Sequence, residues 1–401
     1  MANKPAAKPP SPNQPAPKPA PPKSTASDEK RTFEPKYNWM NKTRQWGVRV
    51  RPGKAGLKLG DLNVGIYGET PTQWTDQSRN PRGAVPRRGM PPVGYSIRDK
   101  AGLWADCAAD LYEEAIQRRW APATDVPWDT IEPLHDDVEH AVCQVCTELV
   151  GYANVDIETI TGWQHQMSYG YHEVKQFLAT ASFDAARHYE CFRKRALANG
   201  GGLGLEGPGM VNRMILESRG GWTEAVVYLL VMRGAFTMTL YKYLGRHAHN
   251  DAERFIYGHA LADKARHETY ALDHLKYAVA HADDVLQVVR TLIAIGEGGL
   301  TRDLRDPVLP EALAVIFGGG VAKAAGRGMA VYGELLRDFV QTYLGYCQWL
   351  GVPRDPARLP PPLNEYANPN NAGRRVSPQP KPSPNSLANA AGAANQKKAG
   401  A

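Results

Sequence analysis

The chain has 401 residues, a net charge of +7 and an apolar fraction of 42%, which is enough apolar material for a large core. Nine of its 48 basic residues fall in residues 1–27 and 368–401, which contain no acidic residue, so the rest of the chain has 39 basic residues against 41 acidic ones. A folded part that is close to neutral argues against a nucleic-acid-binding face, which requires clustered basic residues. The longest apolar run, residues 225–236, is too short to span a membrane. No apolar segment follows the first Met, so we expect a cytoplasmic protein that binds neither nucleic acid nor membrane.

Both ends of the chain differ in composition from its middle. Residues 1–32 are rich in Pro and Lys, and residues 366–401 are rich in Pro, Ala and Asn with five basic residues, so we expect two disordered tails. Residues 33–98 show little periodicity and many turn-forming residues. An irregular stretch of this length is uncommon in a compact domain without a purpose, and we expect an extended N-terminal arm that lies over other surfaces, such as those of a partner subunit.

Helical periodicity begins near residue 99 and continues to residue 365. Apolar residues recur at spacings of three and four, and Gly or Pro separates the periodic segments, whereas no convincing series of strands is present. The sequence therefore predicts an all-α domain over residues 99–365. The predicted helices cover residues 99–120, 136–165, 171–199, 210–218, 222–247, 251–281, 284–297 and 310–350.

A five-residue motif, Asp-x-x-Arg-His, occurs twice inside predicted helices. It begins at Asp184 and again at Asp263, and it ends at His188 and His267. Residues three and four apart lie on one face of a helix, so each aspartate is close to the histidine of its own motif. A buried pair of this kind either holds a histidine for metal binding or forms a simple hydrogen bond in a core.

The two motifs resemble those of the ferritin-like carboxylate-bridged diiron oxygenases, in which Asp-Glu-x-Arg-His supplies a Glu-x-x-His pair of iron ligands. The resemblance covers about residues 99–300 and implies a ferritin-like helical bundle with additional C-terminal helices. The family also carries two further carboxylate ligands, one on each of the two other core helices. At the four carboxylate positions this chain is expected to have Gly151, Ala185, Arg233 and Lys264.

The loss of all four carboxylates predicts that the chain binds no metal and has no catalytic or cofactor-binding residues of the family type. His188 and His267 remain as buried core residues, and Asp184 and Asp263 remain as their hydrogen-bond partners. The cations Arg233 and Lys264 then need anionic partners, because an unpaired buried charge is costly. We expect Asp184, Asp263 or Glu158 to provide them. The alignment at Gly151 leaves open whether Glu148 or Glu158 faces the bundle centre.

Two functions follow from the resemblance. In the first, the chain is a metal-free structural or regulatory subunit that pairs with an active diiron oxygenase subunit, like the second subunit of multicomponent monooxygenase hydroxylases, or with a copy of itself. The alternative is an oxidoreductase that holds two iron ions, or iron and manganese, in an unusual site built from His188, His267 and Glu158. A third interpretation is a solitary helical adaptor whose basic tails bind an acidic partner.

Overall fold

The computed structural model describes residues 37, 39–42, 45, 47–75, 79–207 and 209–367. The described residues before Arg44 belong to a unit of their own, with a short 3-10 helix at Met40–Lys42. The second unit starts at Arg44 and contains all the helices named below. The predicted tails, residues 1–32 and 366–401, lie outside the described residues except for Tyr366 and Ala367. These two residues are buried at the end of a short helix, so the predicted start of the C-terminal tail is wrong.

The second unit is all-α, as predicted. No β-strand occurs among the residues that the structure describes, apart from isolated bridges. The helices are α1 (Ala108–Gln117), α2 (Asp136–Gln166), α3 (His172–Ala198), α4 (Met210–Leu216), α5 (Trp222–Arg246), α6 (Asp251–His281), α7 (Val285–Asp303), α8 (Val308–Gly318), α9 (Val321–Trp349) and α10 (Leu363–Ala367).

Four long helices surround the centre of this unit. Helix α2 packs along α3, α5 packs along α6, and α3 packs against α6. Helix α5 contains a π-helical segment, Val227–Met232, whose residues are all buried and apolar, and it returns to α-helical geometry at Arg233. Segments of π-helix are rare and re-aim the side chains that follow them. Here the segment directly precedes a buried charged residue.

Local chemistry explains where these helices begin and end. The first turn of α2 contains Asp136, Asp137 and Glu139, which stabilise the positive end of the helix dipole. At the start of α6 the side chain of Asn250 accepts a hydrogen bond from the backbone N–H of Glu253 at 2.8 Å. Both helices begin at the residue that the sequence predicts, which fixes the register of the side chains that point inward.

The helical segment predicted over residues 310–350 forms two helices. Helix α8 ends at Gly318, and α9 starts at Val321 with a bend of 98° between the two. Gly319 and Gly320 have φ angles of 73° and 128°, which side chains other than glycine rarely adopt. A glycine pair in this conformation ends one helix and redirects the chain into the next.

The arm predicted over residues 33–98 has little regular structure where it is described, and much of it lies on the chain's own helices. Arg82 is buried and donates to Glu173 of α3 at 3.0 Å. The backbone N–H of Leu59 donates to Glu113 of α1 at 2.7 Å. The arm thus covers α1 and α3 of the same chain. The sequence predicted that it would lie over other surfaces, such as those of a partner subunit.

Helix α5 is the one single helix among the described residues that is long and apolar enough to cross a membrane. The bent pair α8 and α9 passes the same test only if it is counted as one broken span. In α5, 83% of the most apolar window is buried inside the protein. Such burial is typical of the core helix of a soluble protein, and it fits the absence of a predicted membrane segment.

Candidate functional site

The two Asp-x-x-Arg-His motifs meet between α3 and α6. On one side, Asp263 of α6 accepts a hydrogen bond from Nε2 of His188 at 3.1 Å and another from Nη2 of Arg187 at 3.1 Å, both across the helix interface. It also accepts from Arg266 of its own motif and from the indole Nε1 of Trp120 at 3.1 Å. This carboxylate therefore has four donors in a buried position.

The other side repeats this pattern with the helices exchanged. Asp184 of α3 accepts from Nε2 of His267 at 3.1 Å and from Nη2 of Arg266 at 3.1 Å, and it also bonds Arg187 of its own motif. Each aspartate thus binds the histidine and arginine of the opposite motif. We call these six motif residues, together with Trp120, the crossed cluster. The sequence analysis expected each aspartate to bond the histidine one turn along its own helix, and the structure shows that this expectation is wrong.

Burial and neighbouring charges shift the pKa values of the ionisable groups in the crossed cluster. Burial alone would raise the pKa of Asp263, but the hydrogen bond from His188 and the charges of Arg187 and Arg266 hold that pKa well below its usual range. For Arg266, burial opposes the charge, but the neighbouring aspartates raise its pKa above the usual value. Burial lowers the pKa of His267, which favours its neutral form.

The histidines have a second feature in common. Their Nε2 atoms bond the aspartates, whereas the Nδ1 atoms of both His188 and His267 are buried with no hydrogen-bond partner among the described residues. A histidine that donates from Nε2 keeps a lone pair on Nδ1 when it is neutral. Two unpartnered imidazole nitrogens are what a degenerate metal site would leave behind.

A second group of charges lies between α2, α5 and α6, and we call it the central triad. Asp156 of α2 accepts from the guanidinium of Arg233 with one carboxylate oxygen and from the ammonium of Lys264 with the other. All three side chains are at least 96% buried. Burial would raise the pKa of Asp156, but the charges of Lys264 and Arg233 lower it below its usual value. Arg233 also donates to Asn212 and lies over the ring of Tyr152 at 5.1 Å.

The expected burial and pairing of the two cations is therefore confirmed, but the expected partners are wrong. Neither Arg233 nor Lys264 bonds the aspartates of the motifs, because those are occupied by the crossed cluster. Glu158 points away from the bundle, is exposed, and accepts from Asn154 on its own helix at 3.1 Å. The anion is Asp156, which sequence reasoning did not select.

Of the four expected carboxylate positions, three lie inside the bundle and one does not. Ala185 is fully buried in α3, and Arg233 and Lys264 meet in the central triad. Gly151 is on the exposed face of α2 with open space beside it, so its assignment to the bundle centre is wrong. The inward-facing residue of α2 is Asp156, five positions further along the chain.

Glu148 does not face the bundle centre either. It lines a small cleft of about 40 Å³ that also contains Asp303 and Arg233. Burial and the nearby charge of Asp303 raise the pKa of Glu148. Asp303 itself accepts the backbone N–H groups of Met210 and Val211 at 2.7 and 2.9 Å and so caps the start of α4. Asp303 therefore serves the structure of the α4–α7 corner.

Glu268 is the second inward-facing acid that the sequence analysis missed. It lies one turn beyond Lys264, is 3% exposed, and neither carboxylate oxygen has a hydrogen-bond partner among the described residues. Burial raises its pKa well above the usual value. The carboxyl group rests against the backbone of Gly234, where a Cβ atom would lie 1.7 Å from Oε1. This buried carboxyl group is thus fitted against a glycine of α5.

Both missed acids had a signal in the sequence. Asp156 falls on the same helical stripe as the buried Leu149, Ala153 and Ile160. Glu268 continues a stripe that passes through Lys264, Ala271 and Leu275. A polar residue on an apolar stripe at this spacing is buried, whatever motif lies nearby.

These residues do not fit two iron ions. A diiron site needs several free carboxylates between the helices, because no solvent is present to neutralise the metal charge. Here the one carboxylate of the central triad is Asp156, and it is already paired with two cations. The aspartates of the crossed cluster are bound by two arginines each. The unpartnered Nδ1 atoms alone cannot offset the ammonium and guanidinium groups that occupy the middle.

No group of three or more His, Cys, Asp or Glu residues in the described part of the chain is arranged to hold a metal ion. No known protein-family model matches the sequence, and a search of curated proteins finds no significant match. The resemblance to ferritin-like diiron proteins therefore depends on the sequence motifs alone.

Proposed function

We propose that this protein is a metal-free structural or regulatory subunit of ferritin-like architecture that pairs with an active diiron oxygenase subunit. The observation that carries the proposal is the central triad, in which the charged groups of Arg233 and Lys264 converge on Asp156 between three core helices. In the family that the motifs resemble, metal ions take this central position. Here two fixed side-chain cations, both paired with Asp156, supply positive charge at this position.

The crossed cluster supports a structural role as well. It ties α3 to α6 through buried, charge-assisted hydrogen bonds, and bonds of this kind are stronger than neutral ones. Every residue of the cluster is at most 6% exposed. A bundle fixed in this way is suited to present a rigid outer surface.

The outer face of α7 offers such a surface. Val288 and Ile295 are 44% and 55% exposed, and Leu292 lies between them on the same helical face, half-buried. Exposed apolar stripes of this kind mark protein–protein contacts more often than free surface. We infer that this stripe contacts the partner subunit, which also fits a cytoplasmic assembly.

The first experiment measures the iron and manganese content of the full chain, produced alone in metal-supplemented cells. The proposal expects a folded helical protein with almost no bound metal. A content near two metal ions per chain contradicts it.

The second experiment tests the partner. The chain is co-expressed with a protein that has two intact Asp-Glu-x-Arg-His helices, and the mass of the complex is measured by light scattering. Ile295→Glu is expected to weaken the complex at least about tenfold by placing a charge in the apolar stripe. Gln287→Glu, at an exposed position of the same helix, is the matched control and should leave the complex intact.

One observation favours the alternative, an oxidoreductase with an unusual metal site. The Nδ1 atoms of His188 and His267 are unpartnered, as nitrogen ligands without a metal would be. Glu158, the third residue of that alternative, is exposed and points elsewhere. If metal is found, His188→Ala and His267→Ala should both remove it, and the protein should then be assayed as an oxygenase.

A further inference from the structure

A crevice opens on the surface beside the crossed cluster, with a volume of about 530 Å³. It lies between the chain just after α1 and the middle of α6. Its wall combines three arginines with three aromatic rings. The residues are Arg118, Arg119, Arg266, Trp120, Phe255 and His259.

The two arginines of the crossed cluster differ at one atom. Nη2 of each bonds both aspartates, and Nε of each has no partner in the described part of the chain. Nη1 of Arg187 donates to the backbone oxygen of Trp120 at 3.1 Å, whereas Nη1 of Arg266 has no partner. Arg266 is 97% buried, and of the two arginines it is the one that lines the crevice. The symmetry of the cluster is therefore broken at Nη1 of Arg266, a buried donor of a residue that lines the crevice.

The charges around the crevice favour an anion. Asp263, at its floor, is already bonded by two arginines and a histidine, and Asp125 accepts the backbone N–H of Ala121 at 2.8 Å. Arg118 pairs with Glu114 of α1 at 3.0 Å, and Arg266 pairs with both aspartates of the crossed cluster, whereas Arg119 is exposed and has no ion pair in the described structure. A guanidinium presents donors in a planar fork that matches a carboxylate. One arginine without an acidic partner suits a single negative charge better than a double one.

The rings of the wall favour a planar group. Phe255 and His259 are stacked with their centroids 3.8 Å apart and an interplanar angle of 19°. The ring of Trp120 lies 5.6 Å from that of His259. Half-buried rings of this kind offer both faces and edges to another aromatic ring. The crevice is also much larger than a free inorganic anion needs.

We propose that this crevice binds a small aromatic carboxylate. Its carboxylate receives donors from Arg266 and Arg119, and its ring packs against the Phe255–His259 pair. The inference does not depend on whether the protein is a metal-free subunit, because none of these residues belongs to the central triad.

The binding test uses calorimetric titration of the full chain with three probes. Benzoate is expected to bind one molecule per chain. Benzyl alcohol has a similar shape without the charge, and inorganic phosphate has the charge without the ring. Both should bind at least about tenfold more weakly. Equal binding of benzyl alcohol, equal binding of phosphate, or no saturable binding of benzoate each overturns the proposal.

Two pairs of variants locate the site. Arg266→Gln and Arg187→Gln remove equivalent arginines of the crossed cluster, but only the first lines the crevice. Arg266→Gln should lower benzoate affinity at least about tenfold, and Arg187→Gln less than about threefold.

A surface pair decides the question if the buried variants do not fold. Arg119→Gln changes the exposed arginine of the crevice, and Arg290→Gln changes an exposed arginine of α7. Arg119→Gln should weaken benzoate binding by about threefold or more, while Arg290→Gln leaves it unchanged. Equal affinities of these two variants and the wild type overturn the assignment of the site.

Discussion

The crossed cluster and the central triad are neighbouring groups of buried charge, yet they are balanced in different ways. The crossed cluster has two aspartates and two arginines, and each carboxylate accepts from the opposite helix as well as from its own. The central triad has one aspartate for two cations. The first is symmetric because the same motif occurs on both helices.

The triad has no such symmetry, because its members come from three different local sequences. Lys264 stands inside a motif, Arg233 follows a π-helical segment, and Asp156 belongs to no repeat at all. The crossed cluster is thus redundant, with several donors for each acid. The triad depends on one carboxylate. That difference predicts how each group responds when a charge is removed.

The largest effect is expected for Asp156→Asn. The substitution keeps the shape of the side chain but leaves Arg233 and Lys264 buried without an anion. Breaking a buried pair in this way costs about 3–5 kcal/mol. The free energy of unfolding is measured by urea titration at pH 7. Glu158→Gln, two residues along the same helix and exposed, should change it by less than about 0.5 kcal/mol. A loss below about 1 kcal/mol for Asp156→Asn would show that Asp156 does not stabilise the two buried cations in the way described here.

In the crossed cluster the two aspartates should respond unequally. Asp263→Asn and Asp184→Asn each leave two arginines short of an anion, and each should cost about 3 kcal/mol. Asp263 also accepts the indole N–H of Trp120 at 3.1 Å, so its loss should cost about 1 kcal/mol more. Urea titrations of the two variants give the difference directly. Equal losses would mean that the indole bond contributes nothing.

The fold was predictable because long helices carry strong signals. Helices α2 and α6 both have 31 residues, and the sequence predicts their limits to within one residue. The break at Gly319 was not predicted, although Gly318, Gly319 and Gly320 mark it, because the apolar periodicity resumes beyond them. The arm's attachment to α1 and α3 was not predictable, since it depends on single contacts such as Arg82 with Glu173.

For the site, the motifs identified the two aspartates, the two histidines and the buried cations. They could not identify the partners of the cations, because pairing across helices depends on rotation about each helix axis. Asp156 was missed because the family resemblance points to glutamate at ligand spacing, whereas the burial of Asp156 follows from its place on the apolar stripe of α2. The residues of the crossed cluster could therefore be predicted from the repeated motif, whereas the pairing in the central triad could be seen only in the structure.

The contact between Gly234 and Glu268 gives a smaller test of the triad's surroundings. Gly234→Ala places a Cβ against a buried carboxyl group, and overpacking of this kind costs about 1–3 kcal/mol. Gly258→Ala is the matched control, because Gly258 is exposed on α6 with open space beside it, and alanine there should stabilise the helix by up to about 1 kcal/mol. Adding Glu268→Ala to Gly234→Ala should recover part of the loss. Additive losses in this double-mutant cycle would place the strain elsewhere.

The last prediction concerns the change of the free energy of unfolding with pH that Glu268 causes. Burial raises its pKa in the folded protein, so the folded state keeps a proton that the unfolded chain releases above its ordinary pKa of about 4.3. Stability from this group is therefore complete at low pH and is lost as the pH rises toward the folded pKa. The free energy of unfolding changes by about 1.4 kcal/mol per pH unit for one proton.

Glu268→Gln removes this dependence. The free energies of unfolding of the wild type and the variant are measured by urea titration between pH 5 and 8. Their difference should grow steadily as the pH falls, because the wild type gains stability relative to the variant. Glu158→Gln should run parallel to the wild type. Parallel curves for Glu268→Gln would show that Glu268 is ionised in the folded protein and shares the balance of charge with Asp156, which would make the central triad a group of four.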